Sequence, residues 1–185
     1  PGQALFSLMM VYEVTRENKY LKSVQKAFSF YSKHWRKNKN LAFIPWHTQA
    51  YFKLYKKTKS IKLAKFIFEM NDWLIDKHQI KKHKYSDLIG GFGKDSANSA
   101  TSLYVEGIND AYSLAGMLKD TKRKKLYKDS LRKYSRFILS TQYNKENSFY
   151  LNSFEKAIGG FRHSLILNEQ RNDDTQHAIM ALMKT

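Results

Sequence analysis

The stretch Arg171-Asn172-Asp173-Asp174-Thr175-Gln176-His177 leads into an otherwise apolar run and gathers a guanidinium, two carboxylates and an imidazole. On a helix His177 falls one turn beyond Asp173, on the same face. An Asp–His pair so spaced orients an imidazole for proton transfer, or forms a plain buried hydrogen-bonded pair. Asp173 or Asp174 serves equally well as a helix cap, where free amide hydrogens and the helix dipole favour a carboxylate. Arg171 reads as an anchor for a substrate carboxylate or hydroxyl, or as half of a surface ion pair. A second run, Tyr104-Val105-Glu106-Gly107-Ile108-Asn109-Asp110, again spaces two acids by four on a largely apolar segment. Burying them is costly without a partner or a task. Glu106 is then either an acid with a raised pKa, working with a second carboxylate, or the partner of a Lys or Arg from a neighbouring helix. Asp110 is expected to face its own neighbouring helix, and Tyr104 to contact a ligand.

A third cluster, Trp46-His47-Thr48-Gln49, follows Pro45 at a helix-start position. Trp46 offers a flat stacking face while His47 and Gln49 offer hydrogen bonds, and the same residues could instead cap and pack a helix. Gly-Gly-Phe occurs twice, at 90 to 92 and 159 to 161, the second followed by Arg162, a further candidate anchor. Paired glycines permit positive φ or a close backbone approach, and Phe92 either anchors its loop or stacks on a ligand. His34, His78 and His83 lie among lysines and read as surface residues. With no cysteine and no His-x-x-x-His pattern, neither a transition-metal site nor a disulfide is expected, and no cofactor is implied.

These residues need elements to position them, and the apolar pattern supplies helices. Tyr20, Val24, Ala27, Phe28, Tyr31 and Trp35 keep the spacing of a single helical stripe. Leu63, Ile67, Met70 and Leu74, widened by Phe66 and Trp73, form a second, and Tyr127, Leu131, Tyr134 and Ile138 a third. Each stripe predicts an outer helix with one buried side. The segments around Ala4 to Tyr12, Ala50 to Tyr55, Ser99 to Leu118 and from Asp173 onward carry apolar residues on most sides and predict inner helices. Tyr12 to Thr15 recurs as Tyr55 to Thr58, 43 residues later, a period that points to repeated helical pairs. The expected architecture is all-α, about three and a half antiparallel hairpins in a single domain over 1–185. Two longer loops, roughly 78 to 98 and 142 to 172, hold the Gly-Gly-Phe motifs.

In Pro1-Gly2-Gln3-Ala4-Leu5, Trp46-His47-Thr48-Gln49-Ala50, Ser99-Ala100-Thr101 to Glu106-Gly107 and Gly159-Gly160-Phe161-Arg162, the chain resembles the six-hairpin α/α toroids of the carbohydrate-active proteins. These include N-acylglucosamine 2-epimerase-like proteins, unsaturated glucuronyl hydrolases and related glycosidases. The resemblance implies a saccharide, in some members an acidic one, processed by acid–base chemistry in a central cavity. It would make Glu106, Asp173, Asp174 and His177 catalytic, with Trp46, His47, Gln49, Phe92, Tyr104, Arg162 and Arg171 binding the sugar. Hydrolysis, elimination and epimerisation all draw on that set. A closed ring of six such hairpins needs roughly 260 residues plus loops. The chain therefore reads as part of a longer toroid, its C-terminal portion, or as an open arc completed by another chain. Gly-Gly-Phe-Gly at 90 to 93 also resembles the repeats of prenyltransferase β subunits and terpene cyclases, but the chain lacks the zinc-ligating cysteine of the former and the Asp-rich motif of the latter.

Charge offers a competing reading. The formal net charge is +17, which raises nucleic acid or another polyanion as a partner of a non-catalytic helical scaffold. Of 33 basic residues only seven are arginine, leaving 26 lysines, while phosphate and base readers gain most from the planar fork of arginine. Lysines between apolar stripes are what a solvated outer face requires. No apolar run is long enough to span a bilayer, and localisation is left open.

Overall fold

The computed structural model describes residues 1–93 and 97–185, so part of the first long loop, 94–96, lies outside the described residues. The described chain is all-helical. Its α-helices are α1 (Gly2–Thr15), α2 (Asn18–Lys37), α3 (Ile44–Thr58), α4 (Ile61–His78), α5 (Ser102–Met117), α6 (Thr121–Ser140), α7 (Phe154–Ala157) and α8 (Asn172–Lys184). Short 3-10 turns occupy Ser86–Leu88 and Ser99–Thr101. None of these helices is long and apolar enough to cross a membrane.

The Tyr/Thr repeat is a helix stop. Thr15 and Thr58 each donate their hydroxyl to the carbonyl four residues back, Val11 and Leu54, at 3.0 Å, and accept the amide two residues ahead. The next residue then turns left-handed, Arg16 at φ 60° and Lys59 at φ 53°, and its amide closes on Tyr12 and Tyr55. A left-handed residue ends a helix by satisfying a carbonyl that would otherwise be orphaned. Two-residue links follow, so α1 folds back on α2 and α3 on α4. At the third pair Lys119 takes φ 56° and Asp120 caps α6 by accepting the Arg123 amide at 3.0 Å.

Helices α1, α3, α5 and α8 pack against one another in that order, with α2, α4 and α6 against the inner helix that precedes each. The stripes read from sequence form the contact. Val24, Trp35, Leu63, Phe66, Ile67, Met70, Leu74, Tyr127, Leu131, Tyr134 and Ile138 are all buried. Each such large side chain contributes about 1.5–3 kcal/mol on burial. Trp35 is centred among Phe43, Phe66 and Trp73, with ring centroids 5.5 to 6.4 Å away, and donates its indole N–H to Asn40.

The two long loops close by the same device. After α4, Ile80 exchanges backbone hydrogen bonds with Gly90 and Gly91; after α6, Tyr143 does so with Gly159 and Gly160. In each case the preceding glutamine, Gln79 or Gln142, donates its side-chain amide to the carbonyl of the first glycine at 3.0 Å. Gly90 sits at φ 101°, and a Cβ there would stand 2.2 Å from the carbonyl oxygen of Lys133, so no larger residue fits. Phe92 and Phe161 are buried, anchoring both returns.

Candidate functional site

A groove runs along the inner helices. It encloses about 400 Å³ and draws residues from α1, α3, α5 and α8. On α1, Phe6 leans on Trp46 of α3 with ring centroids 5.7 Å apart. Trp46 keeps this place because Gly2 passes close beneath it: a Cβ on Gly2 would stand 2.7 Å from the Trp46 Cβ. The far side of Trp46 meets His177 of α8 edge-on at 6.5 Å.

The polar centre of the groove joins α5 to α8. His177 Nδ1–H donates to Glu106 Oε1 at 2.7 Å, and the Glu106 side chain is only 5% exposed. That hydrogen bond, together with the negative charge, raises the His177 pKa against the opposing effect of burial. Nδ1 is committed to the carboxylate, and Nε2 makes no hydrogen bond among the described residues. The ring is therefore fixed in orientation with one nitrogen left for a ligand.

One turn along α5, Asp110 lies on the same wall. Burial pushes its carboxyl up to about 6, against the pull of Lys184, Lys56 and Lys53, while the nearby Glu106 adds to the rise. Lys184 reaches Asp110 at 4.0 Å and donates to Gln49 Oε1 at 3.2 Å. Gln49 is buried, and its Nε2 has no hydrogen-bond partner. Lys53 is held by Glu13 at 2.8 Å.

Five residues singled out from sequence thus meet in one place: Trp46, Gln49, Glu106, Asp110 and His177. The others are elsewhere. Asp173 does not pair with His177; it is exposed and takes a two-pronged ion pair from Arg171, at 3.1 and 2.9 Å, so both face solvent. Helix α8 begins with Arg171 as its N-cap and no side-chain capping bond, which leaves Asp173 and Asp174 in the first turn rather than at the cap. Asp174 points the other way from the groove, fully buried, and accepts from His163 Nδ1 at 2.8 Å. His47 is a core histidine: its Nδ1–H bonds to the Phe43 carbonyl, its ring stacks on Phe43 at 3.4 Å, and burial pushes its pKa down to about 4.

Phe92 is buried against Tyr104 and Tyr134, so neither Phe92 nor Tyr104 lines the groove. Arg162 donates to the Ser140 carbonyl at 3.1 Å and lies over Tyr143, tying the second loop down. Asp110, expected to face its neighbouring outer helix, instead faces the groove. His78 and His83 are half-buried rather than on the surface, His78 against Trp73 at 4.6 Å.

Sequence reasoning passed over Lys53, Lys184 and Phe6, whose types are those of any helix surface or core. It also passed over His163, whose partner lies eleven residues away with no periodic relation to it. Compared with family models, curated proteins and solved structures, the chain matches none.

Proposed function

We propose that the chain is part of a carbohydrate-active α/α toroid whose inner-helix groove binds a saccharide, one bearing a carboxylate, and processes it by acid–base chemistry. The observation that carries this reading is the Glu106–His177 pair, held at 2.7 Å inside a groove with an aromatic platform. Trp46 and Phe6 present ring faces of the kind on which sugar rings stack. The unpartnered Gln49 Nε2 is a buried donor awaiting an acceptor, and a hydroxyl or ring oxygen supplies one. Lys53, Lys56 and Lys184 give the wall the positive charge that a uronate carboxylate requires.

Within this reading His177 Nε2 takes or gives the proton and Glu106 orients and charges the imidazole. Asp110, with its raised pKa, is the second acid, able to carry a proton near neutral pH. Hydrolysis, elimination and epimerisation each need a donor and an acceptor across one sugar ring, and these residues supply both. The ordered succession of inner helices α1, α3, α5 and α8 is consistent with an arc of such a toroid. Exposed lysines on α2, α4 and α6 alike favour a solvated exterior over a dedicated polyanion face.

The test is binding across a broad panel of neutral and uronic-acid oligosaccharides, with Glu106→Gln, His177→Ala and Trp46→Ala alongside the wild type. An acidic glycan should bind the wild type, and each substitution should weaken it about tenfold or more. Folded wild-type protein that binds no glycan on the panel overturns the reading.

A further inference from the structure

The inner helices form an open row. Helices α3 and α5 each lie between two inner neighbours, whereas α1 packs on α3 alone and α8 on α5 alone. Contacts along the row advance in step: Phe6 meets Trp46 and Glu13 meets Lys53, and further on Glu106 meets His177 and Asp110 approaches Lys184. Helix α1 therefore runs parallel to α3, and α5 to α8.

Both ends of the row are uncharged on a molecule that is otherwise strongly basic. Among the described α-helices only α1 and α5 carry no lysine or arginine, in a chain with 33 such residues. Helix α5 is enclosed by α3, α6 and α8, but α1 is covered by α2 and α3 alone. Opposite its buried Gly2, Leu5 and Met9, α1 presents Ala4, Ser7, Val11 and Val14 to solvent, a stripe at helical spacing with Val14 84% exposed. Opposite its buried Ala178 and Ala181, α8 presents Asn172, Gln176, Ile179 and Met183, with Met183 79% exposed. The charges beside these stripes are already engaged, Glu13 by Lys53 and Asp173 by Arg171. Grouped apolar side chains left in water are a mark of an interaction surface.

We infer that these two faces are the halves of one contact between copies of this chain, with α8 of one copy seated on α1 of the next. The occupant is a second copy because each face lacks the neighbour that the other supplies, and their union continues the row of inner helices. Laid parallel, as neighbours are within the chain, the stripes match: Ser7 falls opposite Gln176, Val11 opposite Ile179 and Val14 opposite Met183. Antiparallel placement would instead set Val14 beside Asn172. No stripe residue is charged, which lets two chains of net charge +17 approach at these faces. A contact of this kind is heterologous, so successive copies close into a ring or run on as a filament. The inference does not depend on what the groove binds.

Sedimentation velocity of the full chain over a series of protein concentrations tests it. Species of two or more copies should grow with concentration at the expense of the monomer. Val14→Lys and Met183→Lys each place an ammonium in the contact, and each should weaken association about tenfold or more. Val14→Lys combined with Met183→Glu in one chain should recover part of the loss, because every contact then joins unlike charges. Ile166→Lys, at an 86% exposed position on the second long loop, should change nothing. Val14 and Met183 both stand in water, so the variants keep the wild-type fold, which their melting curves check. A wild type that stays monomeric at high micromolar concentration overturns the inference. So does association untouched by Val14→Lys or Met183→Lys, an equal loss in Ile166→Lys, or a double variant that associates no better than Val14→Lys alone.

Discussion

Helix α8 carries one member of each of two nearly identical histidine–carboxylate pairs. In both, Nδ1 meets a carboxylate oxygen, at 2.7 Å for His177–Glu106 and 2.8 Å for His163–Asp174, and both histidine side chains are just under one-fifth exposed. What differs is how each carboxylate is supported. Asp174 sits in the first turn of α8, where the helix dipole offsets a negative charge, although no backbone amide bonds its side chain. Glu106 sits inside the α5 helix, where every backbone amide is already spent on the helix, and Asp110 one turn on is a further acid. The same distance therefore describes a supported carboxylate in one pair and an unsupported one in the other. Electrostatic cost concentrates in the groove, as functional sites commonly show.

Breaking the supported pair should cost the most stability. Asp174→Ala removes a fully buried charge, its hydrogen bond and its helix-end contribution, and is expected to lower unfolding free energy by about 3 kcal/mol in urea titration. A loss below about 1 kcal/mol would mean that Asp174 is no better supported than Glu106.

Next in size is a gain. Because the Asp110 carboxyl is raised to about 6 in the folded chain, the native state holds its proton longer than the unfolded chain does, and stability falls as pH rises from about 4 to 6. Asp110→Asn should therefore stabilise the protein by on the order of 2 kcal/mol at pH 8, and by little at pH 4. Equal effects at the two pH values would show that Asp110 ionises alike in the folded and unfolded chain.

The smallest effect sharpens the unsupported pair. Glu106→Gln keeps the hydrogen-bonding shape but removes the charge, so the His177 pKa followed by NMR should fall toward its ordinary value, with a stability change of about 1 kcal/mol or less. The wild-type pair stabilises the fold fully below the unfolded histidine pKa, and that contribution is lost as pH rises through the higher folded value. A variant whose His177 titrates unchanged would show that Glu106 does not set its charge.

The helices were legible because their cause is local. A stripe such as Leu63, Ile67, Met70 and Leu74 states its own period, and Thr15 and Thr58 state where the inner helices stop. The groove was half legible. Glu106 and His177 stand out as polar residues on apolar helices, but the sequence pairs His177 with Asp173 and offers Glu106 only a basic residue or a second acid as partner, because spacing along one helix is all that a sequence displays. Their true contact spans 71 positions and exists only once α5 and α8 pack. Asp173 misled for the complementary reason: its spacing to His177 was right for a shared face, but Arg171 is nearer and draws it to solvent. His47 looked like a ligand residue until the carbonyl one turn back, Phe43, claimed its proton.

The glutamine clamps on the two long loops carry one more consequence. Gln79 meets Gly90 across 11 positions and Gln142 meets Gly159 across 17, yet both closures place a buried phenylalanine in the same relation to the preceding outer helix. Lengthening a loop between fixed ends adds little closure entropy, roughly 0.6 kcal/mol per doubling. The same clamp therefore serves a short loop and a longer one at similar entropic cost. Length between a glutamine and its glycine pair is tolerated, so long as side chains that reach the core, such as Ile80 and Tyr143, are kept.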